Sequence, residues 1–283
     1  MARVKIVTDS AAYFEPGDLK GLDVEIVPIG VRFGDELYRD GIDLTREEFF
    51  RRLERSSAPP VTTPPSIETF QEVYTRLRKT TDQILSLHVS SRLSQTYDHA
   101  TLAAESLLGR CQIFVVDSLS TSLSLGILVA ESAKLAAAGS SLDEIVRMIR
   151  GVIPHLYIVF FVETMDYLER NGRIGKAQAI LGSMLNIKPF LFVEDGEVIP
   201  LEKVRTRAKA LDKLFEFAAE FSNIERMAII QRDPRPNEET NTLTERLLLT
   251  FPGISVPIIQ YDPVLACHVG PDAMGIVVYE RLD

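Results

Sequence analysis

The chain has 283 residues, 46% of them hydrophobic, and carries 31 Lys and Arg against 40 Asp and Glu, a net charge of −9. Such a length holds one large or two modest domains, and the acidic balance argues against binding along a phosphate backbone, so nucleic acid is not an expected partner. The longest apolar runs, such as residues 157–162, are too short to cross a bilayer, and two separated cysteines with four scattered histidines argue against a zinc centre.

The N-terminal stretch Val4–Val7 reads as a short strand that runs into Thr8-Asp9-Ser10. No apolar core of signal-peptide length follows it, so no export signal is expected. Val24–Ile29 reads as a second strand. Thr45 is placed to cap a helix with Glu47 and Glu48 in its first turn. Residues 66–79 read as a helix whose apolar face carries Ile67, Phe70, Val73, Tyr74 and Leu77. A buried strand over 84–89 follows, then a hydroxyl-rich turn, Ser90-Ser91-Arg92-Leu93-Ser94-Gln95-Thr96-Tyr97, and a helix over 98–108. Ile113–Val116 is a strand ending in Asp117-Ser118, and Leu123–Ala138 a small-residue helix closed by Gly139. This alternation predicts a mostly parallel sheet with helices on both faces, a three-layer α/β arrangement. Its strand ends at Thr8-Asp9-Ser10, Ser90-Ser91 and Asp117-Ser118 should converge on one rim, where ligands bind in such sheets.

The second half changes character. Leu156–Val162 reads as a strand and Asn171-Gly172-Arg173 as a turn. Phe190–Val193 and Val198–Val204 read as a hairpin around Glu194–Glu197. Helices are expected over 206–221 and 238–249, and strands over 227–231, 255–260 and 275–279. This is an α+β pattern with antiparallel pairs. It divides the chain into an α/β domain over residues 1–152 and an α+β domain with a mixed or antiparallel sheet over 153–283. Cys111 and Cys267 each lie in an apolar segment and are expected as buried free thiols in a reducing, cytoplasmic compartment.

A turn that ends a strand and opens a helix collects backbone N–H groups, hydroxyls and a positive dipole end, which suits a small anionic head group. Ser94 fits equally well as a plain helix cap. Thr62-Thr63-Pro64-Pro65-Ser66 is a rigid extended segment that can aim a Thr hydroxyl, or serve as a connector with Ser66 as a cap. Arg173 in its tight turn, and Arg205 and Arg207 after the hairpin, offer forked donors for a carboxylate or phosphate. His268, beside Gly270-Pro271, is expected to be exposed by that turn. No P-loop and no G-x-G-x-x-G pattern occurs at the strand ends.

In order along the chain, several motifs together resemble the DegV family of bacterial fatty-acid-binding proteins. They are Val7–Ser10, Pro60–Ser66 (similar to P-x-T-S-Q-P-S), Ser90–Tyr97 (similar to S-S-x-L-S-G-T-Y), Asp117-Ser118, Tyr167–Ile174 (similar to Y-L-x-x-G-G-R-I), 185–189 and His268–Pro271. The resemblance implies a two-domain protein that holds one long-chain fatty acid in a tunnel between its domains. It implies that the carboxylate is held by Thr62 and Ser94, with Arg173, Arg205 and His268 at the mouth, where they would meet an acyl phosphate or a partner. It implies no catalytic residue and neither metal nor cofactor. The implied partners are the fatty acid, a separate fatty acid kinase feeding phospholipid synthesis and, transiently, a membrane surface that the protein does not span.

The chain departs from the family pattern at Gln95 and Asp272, where the pattern has glycine, and at Thr63-Pro64, where it has Ser-Gln. Two other readings stay open on the residues. One is a hydrolase or acyltransferase with Ser94 activated by a histidine such as His268, which requires hydrogen-bond contact between the two. The other is a lipid carrier or sensor with no kinase partner.

Overall fold

In the computed structural model, which describes residues 3–56, 58–177 and 187–281, the first half is built on a parallel sheet. β1 (Lys5–Asp9), β2 (Val24–Val27), β6 (Gln83–His88) and β7 (Gln112–Asp117) pair in the order β2-β1-β6-β7. Helices cover both faces. α2 (Ile67–Leu77) and α3 (Thr96–Glu105) lie on one, α4 (Ser122–Ala138) and α5 (Leu142–Val152) on the other. The alternation of β6 shows why. Ile84 packs into the α2–α3 core, whereas Leu85 and Leu87 face the opposite way, and all three are fully buried.

Beside this sheet lies a small antiparallel one that the sequence reading did not contain. β3 (Gly30–Phe33) pairs with β4 (Glu36–Arg39) on one side and with β5 (Val61–Thr63) on the other; α1 (Arg46–Leu53) lies between β4 and β5 in the chain. The extended Thr62 segment is thus an edge strand, with Thr62 opposite Val31. The predicted strand over 24–29 ends at Val27, because the chain turns there into β3.

In the second half a six-stranded mixed sheet has the order β10-β9-β8-β13-β11-β12. Its strands are β8 (Leu156–Phe161, entered through a 3-10 turn at Ile153–His155), β9 (Lys188–Glu194), β10 (Glu197–Val204), β11 (Ile224–Gln231), β12 (Ile258–Gln260) and β13 (Met274–Glu280). Only the β11–β12 pair is parallel. α7 (Arg207–Ala218) and α8 (Glu238–Thr250) cover one face, where Val159 and Phe161 meet Leu214, Leu243 and Leu247. The other face sends Ile158 and Phe160 into a core shared with the first half. α4 sits in that shared core, touching β1 and β6 on one side and β8 and β13 on the other, which is why it is apolar nearly all round. Among the described residues there are two further short helices, α6 (Asp166–Arg170) and α9 (Pro263–Val269). No helix among the described residues is long and apolar enough to cross a membrane.

Candidate functional site

The predicted rim forms, and backbone hydrogen bonds hold it. Asp9 takes the amides of Ala11 and Val89, and Asp117 takes those of Ser91 and Leu119. Ser118 N–H donates to His88 O and Ser90 N–H to Ser120 O. These acids are therefore spent on fixing loops. Ser90 is spent too: its hydroxyl donates to Gly196 O at 2.8 Å, docking the β9–β10 hairpin tip of the second half onto the turn. Of the hydroxyl-rich run only Leu93 and Ser94 reach the main cavity.

That cavity lies between the two halves. Ile29, Val89 and Leu93 line it from the first, Ile158, Phe160, Ile230, Val264 and Met274 from the second. The walls are apolar apart from Thr62, Ser94, Thr121, Ser122, Arg173, His268 and the hydroxyl of Tyr261, which is engaged with Gly270 O at 2.8 Å. Four of the five residues proposed from sequence thus line one space. Arg205 does not; it is exposed at the end of the hairpin. Gln95 and Asp272 are exposed and do not line the cavity either, so neither departure from the family pattern intrudes on it.

Local structure places each polar side chain. β5 aims Thr62 inward, and its Oγ1 lies 3.3 Å from His268 Nε2. Ser94 precedes α3 by two residues and accepts the Thr96 amide at 3.3 Å while its Oγ bonds Thr96 Oγ1 at 2.8 Å; the N-cap itself is Gln95, not Ser94. α3 is tied back to the Thr62 segment by His99, whose Nδ1 donates to Pro65 O at 2.7 Å. α6 ends in a Schellman turn: Gly172 N–H donates to Glu169 O and Arg173 N–H to Leu168 O, with Gly172 at φ +65°. The turn delivers the Arg173 guanidinium into the cavity wall, where Nε donates to Leu93 O at 2.6 Å and Nη1 to Asn171 O. His268 stands on the last turn of α9. The Gly270-Pro271 turn leaves it half-buried, and the helix sets it on the cavity wall. Of the cysteines, Cys267 is fully buried and Cys111 only half-buried, and both are free thiols.

The electrostatics are one-sided. Arg173 has no carboxylate partner among the described residues, and burial draws its pKa below the ordinary arginine value without removing its charge. Burial, aided by the Arg173 charge, pulls His268 down to about 3, so its ring is neutral. Its Nδ1 is buried without a partner. Ser94 and His268 share no hydrogen bond: Ser94 Oγ pairs with Thr96 and His268 Nε2 with Thr62, so the contact a serine hydrolase needs is missing. No group of three or more potential metal-ligating side chains occurs among the described residues. What the arrangement offers is a largely apolar space with hydroxyls, a neutral imidazole and a guanidinium that meets no carboxylate among the described residues.

A model of the DegV family, described as uncharacterised proteins of that family, matches residues 3–281. The chain belongs to the DegV family. A DegV domain-containing protein of Halalkalibacterium halodurans is 34% identical over 281 residues, 99% of each chain. Among solved structures, a fatty-acid-binding DegV family protein from Thermus thermophilus superposes with a TM-score of 0.86 at 32% identity, covering 99% of this chain and all of the other. DegV of Bacillus subtilis, a fatty acid binding protein, does so with a TM-score of 0.86 at 28% identity over 99% of this chain and all of its own. The parallel sheet, the mixed sheet and their helices are thus those of DegV proteins. The sequence reading missed Asn171, whose side chain braces the polar end, and the pair Thr121 and Ser122 that opens α4 on the cavity wall. Asn171 was hidden because an Asn-Gly pair reads as a turn and nothing more.

Proposed function

We propose that this DegV protein binds one long-chain fatty acid in the cavity between its halves, 1–152 and 153–283, and presents the carboxylate to a partner. One observation carries the reading: a guanidinium without a carboxylate partner among the described residues, Arg173, sits at the polar end of a largely apolar cavity. Burying a cation is costly unless an anion and hydrogen bonds meet it. An apolar chain ending in a carboxylate supplies both requirements of this space. The fatty-acid-binding relatives from T. thermophilus and B. subtilis support the same ligand class.

Each buried methylene contributes about 0.8 kcal/mol, so a chain of about fifteen contributes on the order of 12 kcal/mol before ordering costs. The tail supplies most of the affinity, and the polar end fixes direction. In the tautomer that carries its proton on Nε2, neutral His268 donates to Thr62 Oγ1 and frees the Thr62 hydroxyl proton for the carboxylate. Ser94 and Arg173 donate to its other lone pairs. Every one of these groups binds and orients; none is placed to break a bond, and the role is that of a substrate-presenting, non-catalytic protein. Family resemblance extends the reading to a fatty acid kinase that phosphorylates the presented carboxylate, with Arg205 outside the cavity as a contact for that partner.

The test is organic extraction of purified protein followed by lipid mass measurement. A stoichiometric long-chain fatty acid is expected, and the Arg173→Met variant should retain less. Protein that carries no acyl lipid, and takes none up when offered it, overturns the reading. Co-purification with a fatty acid kinase distinguishes the kinase-linked role from a free-standing carrier.

A further inference from the structure

The head-group residues come from three separate elements: Thr62 from β5, Arg173 from the turn after α6 and His268 from α9. One side chain bonds the backbone of β5, of α6 and of α9. Asn171 is 5% exposed. Its Oδ1 accepts the Thr62 amide at 3.2 Å. Its Nδ2 donates to Cys267 O at 2.7 Å, next to His268, to Tyr167 O at 3.0 Å and to Pro60 O at 3.2 Å. Its own carbonyl accepts from Arg173 Nη1. Every polar atom of the amide is satisfied, in a place where an unsatisfied one is expensive.

We infer that Asn171 is the positioning residue of the head-group end, the side chain that ties the Thr62 strand and the His268 helix to α6 in the register needed to tell a carboxylate from other polar heads. This inference rests on the fatty-acid reading of the cavity. The pattern that Tyr167–Ile174 resembles has glycine at this place, which carries no side chain to make these bonds. Asn171 does not itself line the cavity; it acts through the backbone of its neighbours. A seat held to within a few tenths of an ångström is what separates a charge-assisted hydrogen bond from a loose contact. The apolar walls built on β8 and β13 make no hydrogen bond with the amide.

A merely structural role would weaken every ligand alike, so the readout is head-group selectivity. Binding of a long-chain fatty acid and of the alcohol of equal chain length is measured for wild type, Asn171→Asp and Asn171→Ser. Asp keeps the shape and the acceptor for Thr62 N–H but sets a carboxylate against three carbonyl oxygens. Ser keeps a small donor and serves if the Asp variant fails to fold. Loss of acid affinity by about tenfold is expected, with alcohol affinity within about twofold of wild type. Leu214→Ala, in the distant α7 core, provides a destabilised control in which the acid-to-alcohol ratio stays at the wild-type value. Equal loss of both ligands in the Asn171 variants, or an unchanged ratio, overturns the inference. Wild type that does not prefer the acid overturns the reading of the cavity itself, and the inference with it.

Discussion

Thr62 and His268, 206 residues apart in the chain, meet at 3.3 Å between Oγ1 and Nε2 and join the two halves at the polar end of the cavity. Because His268 is held near a pKa of about 3 by burial and by Arg173, it contributes a neutral ring. The unfolded chain protonates this residue near pH 6.5, so its contribution to stability is full above that value and falls as pH drops toward about 3. The imidazole signal of His268 in ligand-free protein should therefore show no titration between pH 8 and 5 by NMR, and fatty acid affinity should not step near pH 6.5. A midpoint near 6.5 for this ring would show that the buried neutral pairing is wrong.

Removing the two hydroxyls tests the seat directly. Thr62→Val keeps the shape of β5, and Ser94→Ala costs α3 one long hydrogen bond to the Thr96 amide. Each lost bond to a charged head group costs about 1.5–3 kcal/mol, roughly ten- to a hundredfold in affinity. Native mass measurement should find the double variant largely emptied of acyl ligand. Occupancy equal to wild type would remove both residues from the seat.

Much of this fold was legible because local chemistry and global packing agree. Capping signals at Thr45 and Ser66, the hairpin around Asp195-Gly196 and the αL stop at Gly139 all lie where the sequence put them. α5 was missed although Ser141 and Glu144 form a reciprocal capping box; the preceding small-residue helix masked the new start. The β3–β4–β5 sheet was missed because its strands are only three or four residues long and largely half-buried, so no clean alternation marks them. The site shows the same division. Thr62, Ser94, Arg173 and His268 were found through ordered motifs. That they converge, and that Arg205 stays outside, depends on the chain path of α6 and α9, which composition does not encode. Part of the 185–189 motif falls outside the described residues.

Gly196 fastens the second half onto the rim. It has φ +77°, and a Cβ there would run into the Ser90 hydroxyl that donates to its carbonyl. Gly196→Ala should lower stability by about 1–3 kcal/mol through left-handed strain and overpacking together. Adding Ser90→Ala should return part of the loss, because it removes the clash but not the strain. Denaturant midpoints of the single and double variants measure this. Simple additivity would mean that the two residues do not press on each other.

Asp40 and Asp262 form a second buried charge problem, behind α9. Asp262 caps that helix through Leu265 N–H at 2.8 Å, and both carboxylates are less than a tenth exposed. Burial raises both, Asp40 to about 7 with repulsion from Asp262 adding to it, and Asp262 to about 6. Arg46 lowers both but makes no ion pair with either among the described residues. An unfolded Asp titrates near pH 3.9, so the folded state holds more protons between about pH 4 and 7. The pair's contribution is thus full at acid pH and is lost as pH rises through about 6 to 7, when the second carboxylate must ionise in place. Asn caps a helix about as well as Asp, so Asp262→Asn removes the charge and keeps the cap. Its Tm relative to wild type should be clearly higher at pH 8 than at pH 5. If the difference is the same at both values, the two carboxylates do not titrate as a buried pair, and α9 is not under charge strain at neutral pH.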